Sequence, residues 1–236
     1  MHDQHTVGHG PVAEETTTGL NHRKMLMWVF LGSDCLFFGS LISTYLVYRG
    51  QSLVGPFPAD VFDIPTTSVS TFALLMSSMA MVMGYAAINR GDIRAFRVWV
   101  LCTCILGATF LGFQTFEFYE FANHERVVEC TATSPVDKCP PGVTEYEEPY
   151  GLTPRTNLFG STFFTLTGFH GAHVTVGVIW LFSIVGYSFL GGRRARRELI
   201  DRQALSVDLA ALYWHFVDIV WIVIFAVVYL IGVGVK

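Results

Sequence analysis

Charge is what this sequence has least of. Asp, Glu, Lys and Arg make up only 14% of its 236 residues, 15 basic against 19 acidic, for a formal net charge of −4. With 52% hydrophobic residues and a mean hydropathy of +0.46, the chain carries more apolar surface than a soluble domain of this length could bury. It also lacks any basic block with interleaved aromatics, which argues against nucleic acid as a partner. The first 24 residues, MHDQHTVGHGPVAEETTTGLNHRK, contain no short apolar stretch ending at a small-residue cleavage site. No removable signal peptide is therefore expected, and the first helix is expected to act as the membrane signal. The ten-residue alternation of outer-membrane strands is missing too, so the apolar runs read as helices rather than a β-barrel.

What is present is five long apolar runs. A hydrocarbon core of roughly 30 Å needs about 20 helical residues. Segments near Met25 to Tyr48, Thr67 to Ile88, Ala95 to Tyr119, Leu158 to Leu190 and Leu209 to Val233 meet that test. The expected architecture is all-α: a polar cytoplasmic tail over residues 1–24, then a polytopic five-helix transmembrane domain over residues 25–236. Arg23, Lys24, Arg90, Arg94, Arg97, Arg193, Arg194, Arg196, Arg197 and Arg202 fall on one side of this arrangement, ten in all. Arg49, Arg126, Lys138, Arg155 and Lys236 fall on the other. The positive-inside bias then predicts a cytoplasmic N-terminus and an external C-terminus. The tight NRGDIR turn makes the second and third helices antiparallel neighbours, whereas residues 120–156 read as a large external loop rich in Pro, Glu and Thr.

Two of the five cysteines, Cys130 and Cys139, fall in that loop, where an oxidising compartment permits a bridge. Whether they form a disulfide or remain two loop thiols stays open at this level. Cys35, Cys102 and Cys104 lie within helices and read as small hydrophobes.

Ionisable groups inside a bilayer cost at least about 2.5 to 3.5 kcal/mol each on insertion scales, so each requires a partner or a use. The candidates are Asp34, Glu117, His170, His173, His215 and Asp218. At about 1.5 Å per residue, Asp34, His215 and Asp218 come to similar depths, Glu117 and His170 approach the outer end, and His173 lies between. Asp34 reads either as a proton-carrying carboxylate or as a hydrogen-bonded acid holding helices together. Asp218 has the same two readings, with His215 three residues earlier as its natural partner. His170 and His173, in TGFHGAHVTVG, have helical metal spacing but offer only two ligands, and no Glu stands three residues before a His within the helices. Interhelical hydrogen bonds are the preferred reading, helped by Gly168, Gly171, Ala172 and Gly177, which let a neighbouring helix approach. His2, His5 and His9 belong to the polar tail, with weak metal binding as the alternative to simple disorder. The aromatic runs FQTFEFYEF and YWHFVDIVW read as interfacial anchors or packing surfaces.

Taken in order, MWVFLGSDCLFFGSLISTYL, TTSVSTFALLMSSMAM with NRGDIR, LGATFLGFQTFEFYEF, FGSTFFTLTGFHGAHVTVG and LYWHFVDIVWIVIFAVVYL resemble the last five helices of cytochrome c oxidase subunit III. The likeness runs from about Met25 to Val233. Many members of that family have two further N-terminal helices that form a lipid-holding cleft, and this chain resembles the five-helix bacterial forms instead. Asp34 stands where the family typically has a membrane-buried glutamate that reacts with carbodiimides, one methylene longer. The resemblance implies an accessory subunit with neither haem nor copper of its own, those cofactors residing on partner subunits. The implied partners are catalytic subunit I, subunit II and phospholipids, with a larger respiratory supercomplex as a further candidate, in a bacterial inner membrane. Asp34, Glu117, His170, His173, His215 and Asp218 carry over as structural or lipid-contact positions. The membrane-helix histidines number three, fewer than a haem-copper catalytic subunit needs, and no cysteine pair lies with His and Met outside the membrane as a dinuclear copper subunit requires. The competing readings are a subunit of a quinol oxidase or of a nitric-oxide-reductase-associated relative, and an independent proton channel using Asp34, Glu117 and Asp218.

Overall fold

A computed structural model of the chain describes residues 22–51, 63–129, 145–190 and 204–231. Five helices in it are long and apolar enough to cross a membrane. They are α1 (His22–Tyr48), α2 (Ile64–Asn89), α3 (Ile93–Ala122), α4 (Leu158–Leu190) and α5 (Ala204–Phe225), and α5 runs on into a π-helical turn, Ala226–Leu230. The apolar runs fix the centres of these helices, and polar first and last turns extend them beyond the hydropathic edges. Thus α5 begins at Ala204 rather than near Leu209, its added turn tied down by an ion pair between Asp208 and Lys24 at 2.7 Å. On α2, Pro65 occupies the first turn, where its missing N–H costs nothing.

The α2–α3 connection shows why those helices must be antiparallel neighbours. Gly91 takes φ +74°, and its N–H bonds the Ile88 carbonyl while the Asp92 N–H bonds that of Ala87. This is a Schellman termination, which satisfies carbonyls at the end of α2 and needs a residue that tolerates the left-handed region. Asp92 then caps α3, its carboxylate accepting the N–H groups of Arg94 and Ala95 at 3.1 Å each.

Around the bundle, α3 packs on α2 and α4, α5 packs on α2 and α4, and α1 lies against α4 and α5. The buried positions of α1 are Leu31, Phe38 and Tyr45, seven residues apart, a single narrow seam. Most of its remaining surface is apolar and uncovered, including Leu26, Trp28, Val29 and Leu36 at 61 to 78% exposure.

The stretch from 120 to 156, expected as a loop, holds regular structure at both its ends. The third helix continues to Ala122, and strands β1 (Glu125–Glu129) and β2 (Glu145–Pro149) pair antiparallel, Glu125 opposite Pro149 and Glu129 opposite Glu145. Backbone bonds from Tyr150 to His124 at 2.8 Å and from Leu152 to Phe121 at 2.7 Å staple the hairpin base to the end of α3. A composition rich in Pro, Glu and Thr conceals this, because backbone pairing and not apolar periodicity builds these strands. Residues 130–144, with Cys130 and Cys139, and the tail with His2, His5 and His9 lie outside the described residues.

Candidate functional site

The polar side chains inside the bundle fall into a few separate contacts, each joining different helices. Hydroxyls on one face of α2 form the longest series. Trp221 Nε1 donates to Thr71 Oγ1 at 3.0 Å, Trp214 Nε1 donates to Ser77 Oγ at 2.9 Å, and His215 Nδ1 lies 3.1 Å from Ser78 Oγ. Trp214 and Trp221 are fully buried. The YWHFVDIVW run is therefore a packing surface whose indole N–H groups are read by α2, a partnership that buried tryptophan requires. Around Trp214 the fit is tight: a Cβ added at Gly107 would lie 2.6 Å from its ring, and one added at Gly177 would lie 2.9 Å from it.

His215 turns to Ser78 rather than to Asp218. Asp218 is buried, and its Oδ1 has no hydrogen-bond partner among the described residues.

Asp34 on α1 meets His173 on α4, with Oδ2 3.6 Å from Nε2. Depth along the helices had grouped Asp34 with His215 and Asp218, but side-chain direction around each helix brings it to His173 instead. His173 Nδ1 lies 2.8 Å from the Phe169 carbonyl, which can only accept, so Nδ1 carries a proton. Nε2 is then a bare lone pair unless protonated, and one proton, on Nε2 or on the carboxyl, makes the contact with Asp34 attractive. Phe38 packs edge-on against His173 at 5.0 Å, and the Tyr213 hydroxyl donates to the His173 carbonyl at 2.9 Å.

Glu117, only 4% exposed, accepts a short hydrogen bond from Thr67 Oγ1. Tyr229 reaches the same place from the π-helical turn, hydrogen-bonded to Thr67 and facing Glu117. One turn deeper, Gln114 Nε2 donates to the Thr167 carbonyl at 2.8 Å, and its amide packs on Gly171.

His170 differs from all of these. It is completely buried, stacked on Trp221 at 4.8 Å and edged by Phe110 and Phe38, and neither ring nitrogen has a hydrogen-bond partner among the described residues.

Of the six ionisable positions read from sequence, the structure brings together only Asp34 and His173 directly. Reading ionisable types alone overlooks Thr67, Thr71, Ser77 and Ser78, although Thr67, Thr71 and Ser78, at intervals of four and seven in α2, mark a polar helix face. It also overlooks Gln114, Trp214, Trp221 and Tyr229. Among the small residues expected to admit a neighbour, Gly171 and Gly177 do so, whereas Gly168 faces open space and Ala172 is exposed. Ser77, Ser78 and Gly171 are engaged inside the bundle, while Phe37 and Gly39 are exposed. Among the described residues no group of three His, Cys, Asp or Glu side chains is placed to hold a metal ion.

The chain matches known proteins along nearly its whole length. A family profile described as cytochrome c oxidase subunit III matches residues 142–233. Cytochrome c oxidase subunit 3 of Bacillus sp. strain PS3 is 33% identical over 224 residues, 94% of this chain and 93% of that protein. Quinol oxidase subunit 3 of Bacillus spizizenii is 30% identical over 234 residues, covering 99% and 98%. Cytochrome bo(3) ubiquinol oxidase subunit 3 of Pseudomonas aeruginosa is 30% identical over 230 residues, covering 98% and 94%. Five membrane-length helices, the TGFHGAHV and YWHFVDIVW segments at the centre of their packing, and this similarity together place the chain in the cytochrome c oxidase subunit III family, the third subunits of haem-copper terminal oxidases.

Proposed function

We propose that this chain is a non-redox subunit that stabilises the catalytic subunit of a haem-copper oxygen reductase, holds phospholipids at its surface and supports proton uptake during turnover. The observation that carries this reading is the dispersal of the three histidines in the membrane helices. His173 is engaged by Asp34 and the Phe169 carbonyl, His215 by Ser78, and His170 by aromatic rings. Copper, and the paired haem-copper centre of an oxygen reductase, need several such donors converging on one point, and this donor set does not fit them. Haem and copper therefore belong on partner subunits, and no electron-transfer step runs through these residues.

The uncovered apolar face of α1 supports docking on subunit I, with subunit II completing the complex. Orientation follows from the basic residues. Lys24, paired with Asp208, lies at the bundle end that also holds Arg90, Arg94 and Arg97, and Arg97 there bonds Ser188 near the end of α4. By the positive-inside bias this end is cytoplasmic in a bacterial inner membrane, which puts the β-hairpin and the C-terminus outside.

Relatives named for cytochrome c and for quinol match the chain almost equally, so a quinol oxidase is the second reading. Spectra and subunit composition of the natively isolated complex decide the donor. Removing this chain from that complex is expected to leave the haem spectrum nearly intact while activity decays faster during turnover. Collapse of the spectrum, or stoichiometric haem or copper on the purified chain, contradicts the proposal. Robust proton flux by the chain alone in liposomes would instead make it an independent channel.

A further inference from the structure

At the hairpin end of α3 lies a surface cavity of about 350 Å³, lined by Phe116, Tyr119, Glu120, Asn123, His124 and Glu125. It is separate from the polar contacts inside the bundle. Its level in the membrane follows from α3 itself. Thirty residues at about 1.5 Å each span roughly 45 Å, more than the roughly 30 Å of a hydrocarbon core, so the helix overshoots into the headgroup layer. Between Arg97 and Glu120 the only charged residue is Glu117, and it is buried inside the bundle. The lipid-facing stretch of α3 therefore ends at Glu120. Phe116 and Tyr119, 58% and 70% exposed, stand at that boundary, where amphipathic rings favour the membrane interface.

The lining selects a class of ligand. Glu120 and Glu125 are exposed, and neither has an ion-pair partner among the described residues. Among the described residues no Lys or Arg contributes to the lining, so a phosphate or carboxylate is offered only the His124 ring and meets two like charges that oppose it. A cation meets the two carboxylates and aromatic faces of the kind that attract ammonium groups. The Asn123 amide nitrogen is already committed to the Tyr119 carbonyl at 2.7 Å, which leaves its oxygen as a further acceptor. Carboxylate and amide oxygens call for N–H donors, which a primary ammonium has and a quaternary one lacks.

We propose that this cavity binds the primary ammonium of a phospholipid headgroup of the phosphatidylethanolamine type, with Glu120 and Glu125 as counter-charges and Phe116 and Tyr119 as walls. The acyl chains then run down the exposed face of α3 and the phosphate stays in the solvated headgroup layer. This inference rests on the membrane placement of α3 and not on which oxidase the chain serves, so its failure leaves the subunit assignment standing.

The test uses the intact complex containing this chain in nanodiscs of phosphatidylglycerol with or without phosphatidylethanolamine, treated with a water-soluble carbodiimide. The reagent activates a carboxyl, and an amine in contact displaces it to form an amide, the carbodiimide taking up the water lost and leaving as its urea. Peptide mass spectrometry is expected to find the lipid amide on Glu120 or Glu125 at least tenfold above that on Asp63, an exposed acid near the same end of the bundle. Equal yields at Asp63, or none at either glutamate, overturn the proposal. With free ethanolamine at millimolar concentration and nanodiscs lacking phosphatidylethanolamine, an ethanolamine amide on Glu120 or Glu125 equally enriched over that on Asp63 overturns the lipid assignment in favour of a soluble amine. The double variant E120Q/E125Q is expected to lose about one phosphatidylethanolamine per complex by native mass spectrometry with phosphatidylglycerol unchanged. An unaltered count refutes the site.

Discussion

Replacing Gly107 by alanine puts a methyl group where the edge of Trp214 already lies. The added carbon would be 2.6 Å from Cη2 and 2.9 Å from Cζ2 of the indole, and 3.0 Å from Val178 Cγ2. Ordinary contact begins at 3.4 Å, so the ring must withdraw by about 0.8 Å. It has little freedom to do so, because Gly177 and Tyr213 pack beside it and its Nε1 is anchored 2.9 Å from Ser77 Oγ. Overpacking of this kind costs typically about 1 to 3 kcal/mol. Breaking the Trp214–Ser77 bond to relieve it adds about 0.5 to 1.5 kcal/mol. We therefore expect G107A to destabilise the chain by about 2 to 4 kcal/mol in reversible unfolding in mixed micelles. The double variant G107A/W214F isolates the cause, because a phenyl ring is shorter and leaves room for the methyl group. In the W214F background the alanine is expected to cost under about 1 kcal/mol. An equal cost in both backgrounds would show that the alanine acts through the α3 backbone and not through the indole, and would refute the argument.

Three further outcomes follow from the polar contacts. H170F should leave stability within about 1 kcal/mol of the parent, since neither imidazole nitrogen has a partner among the described residues to lose and the surroundings are aromatic; a loss above about 3 kcal/mol by the same unfolding assay would reveal a polar partner. T71V should cost about 1 to 3 kcal/mol because it strands the buried Trp221 N–H, and T71S should recover most of the loss. D34N should shorten the active lifetime of the complex, followed as decay of oxygen uptake, more than it lowers the initial rate. An immediate loss of electron transfer would place Asp34 much closer to the redox chemistry than its contact with His173 implies.

Helix number and order were legible because a bilayer leaves the backbone only helices or a closed barrel in which to bond, and continuous apolar runs of membrane length announce the helix. Edges were less so. Hydropathy stops where Asp208 enters, yet α5 extends past it because Lys24 on α1 supplies a countercharge that only the folded bundle brings near. The individual polar residues stood out by type, but their pairings depend on rotation about each helix axis, which depth alone does not give. Asp34 therefore found His173, and His215 turned to Ser78 rather than to Asp218. Hydroxyl residues bond their own helix so readily that they carry little signal in sequence, and the part of Thr67, Thr71 and Ser77 as receptors for side chains of α3 and α5 emerges only from packing. The π-helical turn that presents Tyr229 has no compositional mark at all, since AVVYL would suit an ordinary α-helix equally well.

The narrow seam of α1 has a consequence for how the protein is made. Its packing partners, α4 and α5, leave the ribosome after α2 and α3, which can close on each other once the Gly91 turn and α3 have emerged. At about 5 to 20 residues per second, α1 waits on the order of ten seconds in lipid with the Asp34 carboxyl unmatched. A newborn chain in that interval is a lone anchor beside a finished hairpin, and its acid is matched only when α4 brings His173 alongside.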